Sequence, residues 1–317
     1  MNYNSTIYVL SCDTVDKKGG IYAFDLTNDG KLKKKDYLPC DRPMYAVKCS
    51  KGLGVLLRAP YDRINFSGYF YVDEKLKNST NIKSTQGLVA CHLCVDGEEL
   101  YSANYSSGSI SKNDTLLEIR HGSGPNAARQ ASPHAHFVGI TPDGYLAVCD
   151  LGTDTLAIYN KELSLVSEEK VPAGYGVRHL VFSNDGKYIY AINELVPAIS
   201  IFSYEFGKPT YIDSFRFNCK NKNANGAAIR LSDDGKTLYV SLREENVICI
   251  LSVDNEKLTL LNTIDCGGNA PRDFNIFGKY LICCNQLSND LSIIDLTSNE
   301  LKAEIVYNDI STPLCVL

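Results

Sequence analysis

Apolar residues in this chain fall into short runs bounded by polar turns, and over no useful length do they recur with the period of an amphipathic helix. From Cys91 onward one pattern repeats. A short apolar run enters a tight turn, a second run leaves it, and a polar cluster closes the hairpin. The copies are CHLCVDGEELYSANYSSGSISK, HFVGITPDGYLAVCDLGTDTLAIYN, RHLVFSNDGKYIYAINELVPAISIFSYE, AAIRLSDDGKTLYVSLREENVICILSVD and RDFNIFGKYLICCNQLSNDLSIIDLT. They turn at Asp96-Gly97, Asp143-Gly144, Asp185-Gly186, Asp234-Gly235 and Gly278, where tight hairpins favour residues that accept positive φ. Lower-hydrophobicity strands such as LSLVSEEKVP, PTYIDSFRF and LTLLNTIDC separate them, as expected for an exposed outer strand. The chain is expected to be all-β.

The period of about 40 to 50 residues matches four-stranded propeller blades. Upstream, MYAVKCSKGLGVLLRAP and SGYFYVDE read as a blurred copy with a polar loop around Tyr61 to Asn65. STIYVLSCD and GIYAFDLT form a hairpin without a first strand, whereas the final STPLCVL resembles the start of a repeat that stops. If that last strand completes the first blade, no inner edge is left unpaired. The expectation is one domain over residues 1–317, a seven-bladed β-propeller closed by its C-terminal strand.

Composition narrows the partners. The 317 residues are 44% hydrophobic and 22% charged, with a formal net charge of −5 and no basic block able to track a phosphate backbone. Neither nucleic acid nor a membrane is expected as a partner. No apolar run approaches a membrane span, and MNYNSTIYVLSCD lacks the features of an export signal, so a cytoplasmic location is expected. Most of the twelve cysteines lie in apolar runs, where a thiol behaves as a small hydrophobe. Cys91 and Cys94 form a CxxC, but neither a second pair nor a following helix supports metal or redox chemistry.

In a propeller blade the start of the first strand and the end of the second share a face, so these positions ring one central mouth. His92, His134, His136, Arg178, His179 and Arg272 fall at strand-one starts. Asn104, Tyr105, Asp150, Asn193, Glu194, Arg243 and Asn285 fall at strand-two ends. Polar residues at strand ends commonly just cap loops, but three arginines at one mouth imply an anionic ligand. Glu194 is then a counter-charge and candidate general base, and His136 a residue that can move a proton near neutral pH. His134 and His136, read as alternating on one strand, would face the same way, with His92 or Asp150 as a third metal ligand; no second cluster supports that site, and no metal is assigned. HGSGPN lacks the strand-to-helix context of a phosphate-binding loop, and Ser132 lacks the glycines of a nucleophile elbow.

SPHAHFVGITPDGYLAVCDLGTDTLAIY, GVRHLVFSNDGKYIYAINEL, CHLCVDGEELYSANYSSGSIS and APRDFNIFGKYLICCNQLSNDL together resemble the seven-bladed lactonase family. That family includes propeller-type 6-phosphogluconolactonases and the fungal carboxy-cis,cis-muconate cyclase. The likeness covers about residues 85 to 300 well and the N-terminal blades loosely. It implies a catalytic constellation of His136, Arg178, Glu194 and Arg243. PHAH, DLGTD and the PRDF segment carrying Arg272 favour the phosphogluconolactonase branch. The implied reaction is hydrolysis of 6-phosphogluconolactone or a similar anionic sugar lactone, without cofactor. Arg272 with His92 would hold the phosphate or carboxylate, and Asn104, His134 and His179 would line the substrate site. Glu194 or His136 would activate water, while Arg178 and Arg243 would stabilise the oxyanion. Ala228 stands where family members usually carry an acidic residue. A cycloisomerase acting on a carboxylated diene is the alternative within enzymes, and a binding or scaffold module is the alternative outside them.

Overall fold

The computed structural model describes residues 6–14, 17–58 and 67–317. The polar loop expected around Tyr61 to Asn65 lies outside them. Among the described residues there is no helix, and 28 strands, numbered in chain order, build seven four-stranded antiparallel sheets. The first sheet takes β1 (Thr6–Ser11), β2 (Gly20–Leu26) and β3 (Leu32–Pro39) from the start of the chain, and β28 (Pro313–Val316) from its end. Val9 pairs with Val316 and Leu10 with Cys315, so the C-terminal strand is innermost and closes the ring.

The innermost strands of blades two to seven are β4 (Pro43–Cys49), β8 (Ala90–Asp96), β12 (Ala135–Ile140), β16 (Val177–Phe182), β20 (Gly226–Leu231) and β24 (Pro271–Phe277). Their burial follows from sheets packed face to face around an axis. Second strands such as β13 (Leu146–Asp150) and β25 (Tyr280–Asn285) are buried along their whole length, whereas β15 (Leu165–Lys170) and β23 (Lys257–Asp265) are largely exposed. The apolar clusters lie between neighbouring blades. Ile7, Phe24 and Val316 of blade one pack with Ile282, Leu291 and Ile293 of blade seven, so ring closure also buries hydrocarbon.

Two repeated features shape the mouth. Near its start, each innermost strand slips in register against the second strand, which leaves Leu314, Met44, Cys91, His136, Arg178 and Arg272 at bulges in six blades. Ala227 and Ala228 occupy the corresponding slip in blade six. A bulge breaks strand alternation and re-aims its side chain. One position past the last residue that each second strand pairs with its innermost strand stand Cys12, Arg58, Tyr105, Leu151, Glu194, Arg243 and Gln286. Their N–H groups donate to the carbonyls of Thr312, Arg42, Val89, His134, Gly176, Asn225 and Ala270. The same backbone bond in all seven blades holds these seven residues at one level.

Candidate active site

Around this mouth, side chains from different blades enclose a cavity of about 330 Å³ lined by Met44, Arg58, Val89, Cys91, Tyr105, Arg129, His136, Glu194, Asn225, Arg243, Glu244 and Arg272. The two halves of the bulge ring differ. In blades one to three it presents Leu314, Met44 and Cys91, which form a small apolar cluster against Cys12 and Tyr105. In blades four to seven it presents His136, Arg178, Ala227 and Arg272. A ligand in this cavity therefore meets hydrocarbon on one side and charge on the other.

The charged half is organised around Glu194. Its Oε2 accepts from Arg178 Nε at 3.0 Å and lies 3.2 Å from Arg243 Nη2, while its Oε1 lies 2.5 Å from Arg129 Nη2. His136 Nε2 stands 3.9 Å from the same Oε2. Burial alone would push the Glu194 carboxyl up, but Arg243, Arg178, His136 and Arg129 hold it far below the usual carboxylate range. Arg178 is fixed by a further bond to the Ala227 carbonyl, and Arg243 Nε by Asn225 Oδ1 at 2.5 Å.

Arg272 has a different balance. Among the described residues it forms no ion pair, and its side chain donates to Gln286 Oε1 at 3.3 Å. Burial, then Arg178 and Arg243, push its guanidinium down to about 9, which still leaves it charged at neutral pH. A buried cation crowded by other cations is stabilised by an incoming anion. Three guanidiniums, Arg129, Arg178 and Arg243, thus pair with the Glu194 carboxylate, and Arg272 stands beside them; Arg58 and Glu244 also line the cavity. Burial, then Arg178, keeps His136 well below its ordinary value and hence neutral at pH 7, with Nδ1 unpartnered among the described residues.

Of the thirteen residues expected at the mouth, Tyr105, His136, Glu194, Arg243 and Arg272 line the cavity, Arg178 lies against Glu194 just behind the wall, and seven others are not on it. His92 and His179 lie one position deeper than the bulge residues, in a buried cluster with Tyr45 and Phe137. The His92 ring centroid is 4.1 Å from Tyr45, 4.5 Å from Phe137 and 4.7 Å from His179. Burial keeps both histidines well below their ordinary values. His134 does not alternate with His136, because β12 begins at Ala135 and bulges at His136. Its ring stacks on Tyr105 at 4.3 Å and its N–H donates to Asp150 Oδ1 at 2.8 Å. Asn104 is fully buried and donates to Ser111 Oγ at 2.7 Å, as Asn193 and Asn285 do to Ser200 and Ser292 at 2.9 and 3.1 Å. These three asparagines pin second strands to third strands. Asp150 is held by Arg120 at 2.6 Å.

Ala228 is fully buried in an apolar cluster with Tyr239, Ile248 and Phe274, away from the cavity wall. The twelve cysteines are all free thiols, and burial pushes Cys91 up to about 12. Among the described residues no group of three or more His, Cys, Asp or Glu side chains is placed to hold a metal ion. Sequence reasoning did not find Arg129, Arg58, Asn225 or Glu244. Arg58 occupies in blade two the ring position of Glu194, so the repeat would have located it had that blade's register been clear. Arg129 lies on a loop between blades three and four, where no strand position marks it.

A seven-bladed propeller with an arginine-rich axial mouth is the class that fold and site define. Residues 6–317 match the family described as "Lactonase, 7-bladed beta-propeller", and the chain belongs to that family. An uncharacterized protein of Lactococcus lactis subsp. cremoris is 34% identical over 265 residues, covering 75% of this chain and 76% of that protein. Among solved structures, a candidate 6-phosphogluconolactonase of Bacteroides fragilis superposes with a TM-score of 0.87 at 29% identity, covering 98% of this chain and 97% of that one. A protein from Lactobacillus plantarum gives 0.89 at 28% identity, covering 100% and 99%. The periplasmic gluconolactonase of Pseudomonas aeruginosa, at 23% identity and a TM-score of 0.87 with 98% of each chain covered, shares the fold.

Proposed function

We propose that this protein is a metal-independent lactonase that opens 6-phosphogluconolactone or a similar anionic sugar lactone in the axial mouth. The observation that carries the reading is the pairing of Glu194 with Arg129, Arg178 and Arg243, beside the Arg272 guanidinium and a neutral His136. Arg272 holds the ligand's phosphate or carboxylate. Arg243 faces the carbonyl oxygen from the cavity wall and Arg178 adds its charge from behind Glu194, so that both stabilise the developing negative charge. Met44 and Cys91, backed by Leu314, pack against the carbon–hydrogen face of the ring.

Of the two candidate bases, His136 is the better placed. Glu194 is so strongly stabilised as an anion that it is a poor proton acceptor, whereas His136 is uncharged at neutral pH, lines the cavity and has its Nε2 on the Glu194 side. Water adds through its oxygen to the lactone carbonyl carbon while its proton passes to His136. The ring carbon–oxygen bond then breaks, and His136 returns the proton to the departing alkoxide, giving the hydroxy acid. Glu194 stabilises the transient imidazolium and holds the arginines in place. His92 and His179 support this wall from below, and Asn104 and His134 from the side. Residues 1–317 act as one domain, without cofactor, in the cytoplasm.

The test is ring opening by the purified protein, followed as acid release above the spontaneous rate. Arg178→Met should lower kcat/KM on the order of a hundredfold with little change in fold. Wild-type opening no faster than that of the variant would refute the reading.

A further inference from the structure

We infer that Arg129 is a positioning residue that couples recognition of the ligand's anionic substituent to the proton-accepting group, by releasing Glu194 when that substituent binds. The inference rests on the lactonase reading for the reaction, while the coupling itself can be observed without turnover.

Glu194 is held by two kinds of arginine. Arg178 and Arg243 belong to the blades, with side chains 5% and 15% exposed, and both engage Oε2. Arg129 comes from the loop between blades three and four, its side chain is 42% exposed, and it engages Oε1. The loop backbone is fixed beside it. Gln130 is fully buried, and its Nε2 donates to the Leu151 carbonyl at 2.9 Å and to Asp154 Oδ1 at 2.8 Å. Arg129 is thus a solvent-facing side chain on an anchored backbone, and its other polar contact is Tyr105 Oη at 3.3 Å. An anion entering the mouth competes with Glu194 Oε1 for this guanidinium, which matches phosphate or carboxylate oxygens as well as it matches Glu194.

The consequence follows from charge. With Arg129 engaged elsewhere, Glu194 presents more uncompensated negative charge to His136, whose Nε2 is 3.9 Å from Oε2. The other groups facing His136 are Arg178, Arg272, the Tyr105 ring at 5.8 Å and the His179 ring at 6.2 Å, and Cys91 donates to its carbonyl at 3.4 Å. Arg178 and Cys91 are buried on blade strands, as is His179, and Arg272 is enclosed by the cavity. Arg129 is the exposed member of the set that acts on Glu194. An anionic lactone therefore raises the basicity of His136 as it binds, and a neutral lactone of the same ring size does not.

The experiment follows the His136 ring resonances against pH in wild type, Arg129→Ala and Arg129→Lys, with His136→Gln to assign them, each with and without inorganic phosphate. Arg129→Ala should raise the His136 midpoint by about one unit. Phosphate should move the wild type in the same direction, and Arg129→Lys should stay near the wild-type value. Equal midpoints in wild type and Arg129→Ala would overturn the coupling. In kinetics, Arg129→Ala should shrink the preference for 6-phosphogluconolactone over gluconolactone at least tenfold and move the acid limb of the pH profile upward. Equal losses on both lactones with an unmoved limb would show a merely structural role. If the wild type opens neither lactone, the lactonase reading fails alone, and the midpoints still decide the coupling.

Discussion

Replacing Glu194 with Gln removes the carboxylate that pairs with Arg129, Arg178 and Arg243 while keeping the side chain's shape. Glu194 is 6% exposed, and of the arginines left behind Arg178 and Arg243, 5% and 15% exposed, gain little compensation from water. Breaking a buried ion pair by neutralising one partner typically costs about 3 to 5 kcal/mol, because the other charge stays buried without compensation. Unfolding entropy for 317 residues is roughly 0.7 kcal/mol per kelvin, so the lower figure corresponds to a fall in Tm of about 4 to 5 °C. The same account predicts rescue by anions. Phosphate at a hundred times its Kd restores about 2.7 kcal/mol, close to the loss. Calorimetry at low salt, with and without phosphate, reads both quantities. A Glu194→Gln protein that melts within a degree of wild type, or that gains no more from phosphate than wild type does, would refute the claim that this carboxylate balances the cluster.

His92, His136 and His179 are buried in neutral form, with folded pKa values below the unfolded value of about 6.5. In the window between folded and unfolded values the unfolded chain binds more protons, so stability falls as pH drops below about 6.5, by up to roughly 1.4 kcal/mol per unit for each histidine. Melting temperature should therefore decline from pH 7 to pH 5, and the double variant His92→Gln, His179→Gln should decline less steeply; identical slopes would contradict the assignment. Asn193→Ala, which removes the pin to Ser200, should cost about 1 to 3 kcal/mol in denaturant unfolding while leaving KM unchanged. A changed KM with unaltered stability would place Asn193 in the site instead.

Blades three to seven were legible because their turns announce themselves. Gly144 and Gly186 adopt φ of 86° and 72°, which is why Asp-Gly stands at the hairpin tips and why the period can be counted. Blade two turns instead at Ser50-Lys51, without that dipeptide, and its register stayed obscure enough to hide Arg58. Ring closure was readable from the unmatched strands at the two ends. Within the site, His136, Arg178, Glu194, Arg243 and Arg272 were found because equivalent positions in a ring converge. The bulge was not visible, since one extra residue leaves no mark on hydrophobic patterning. Strict alternation therefore set His134 beside His136 and did not separate Arg178, paired with Glu194, from His179 in the deeper aromatic cluster. Arg129 escaped because a loop residue has no repeat position from which to infer its place.

The most direct measurement is a crystal structure with 6-phosphogluconate bound, since the central claim is that the arginine cluster around Glu194 receives an anionic lactone and its product. The account predicts the phosphate between Arg272 and Arg129, with Arg129 drawn from Glu194, and the carboxylate on the side of Arg243 and Arg178, with His136 facing the carboxyl carbon. Binding outside the mouth, or in the mouth with neither anionic group on these arginines, would contradict it.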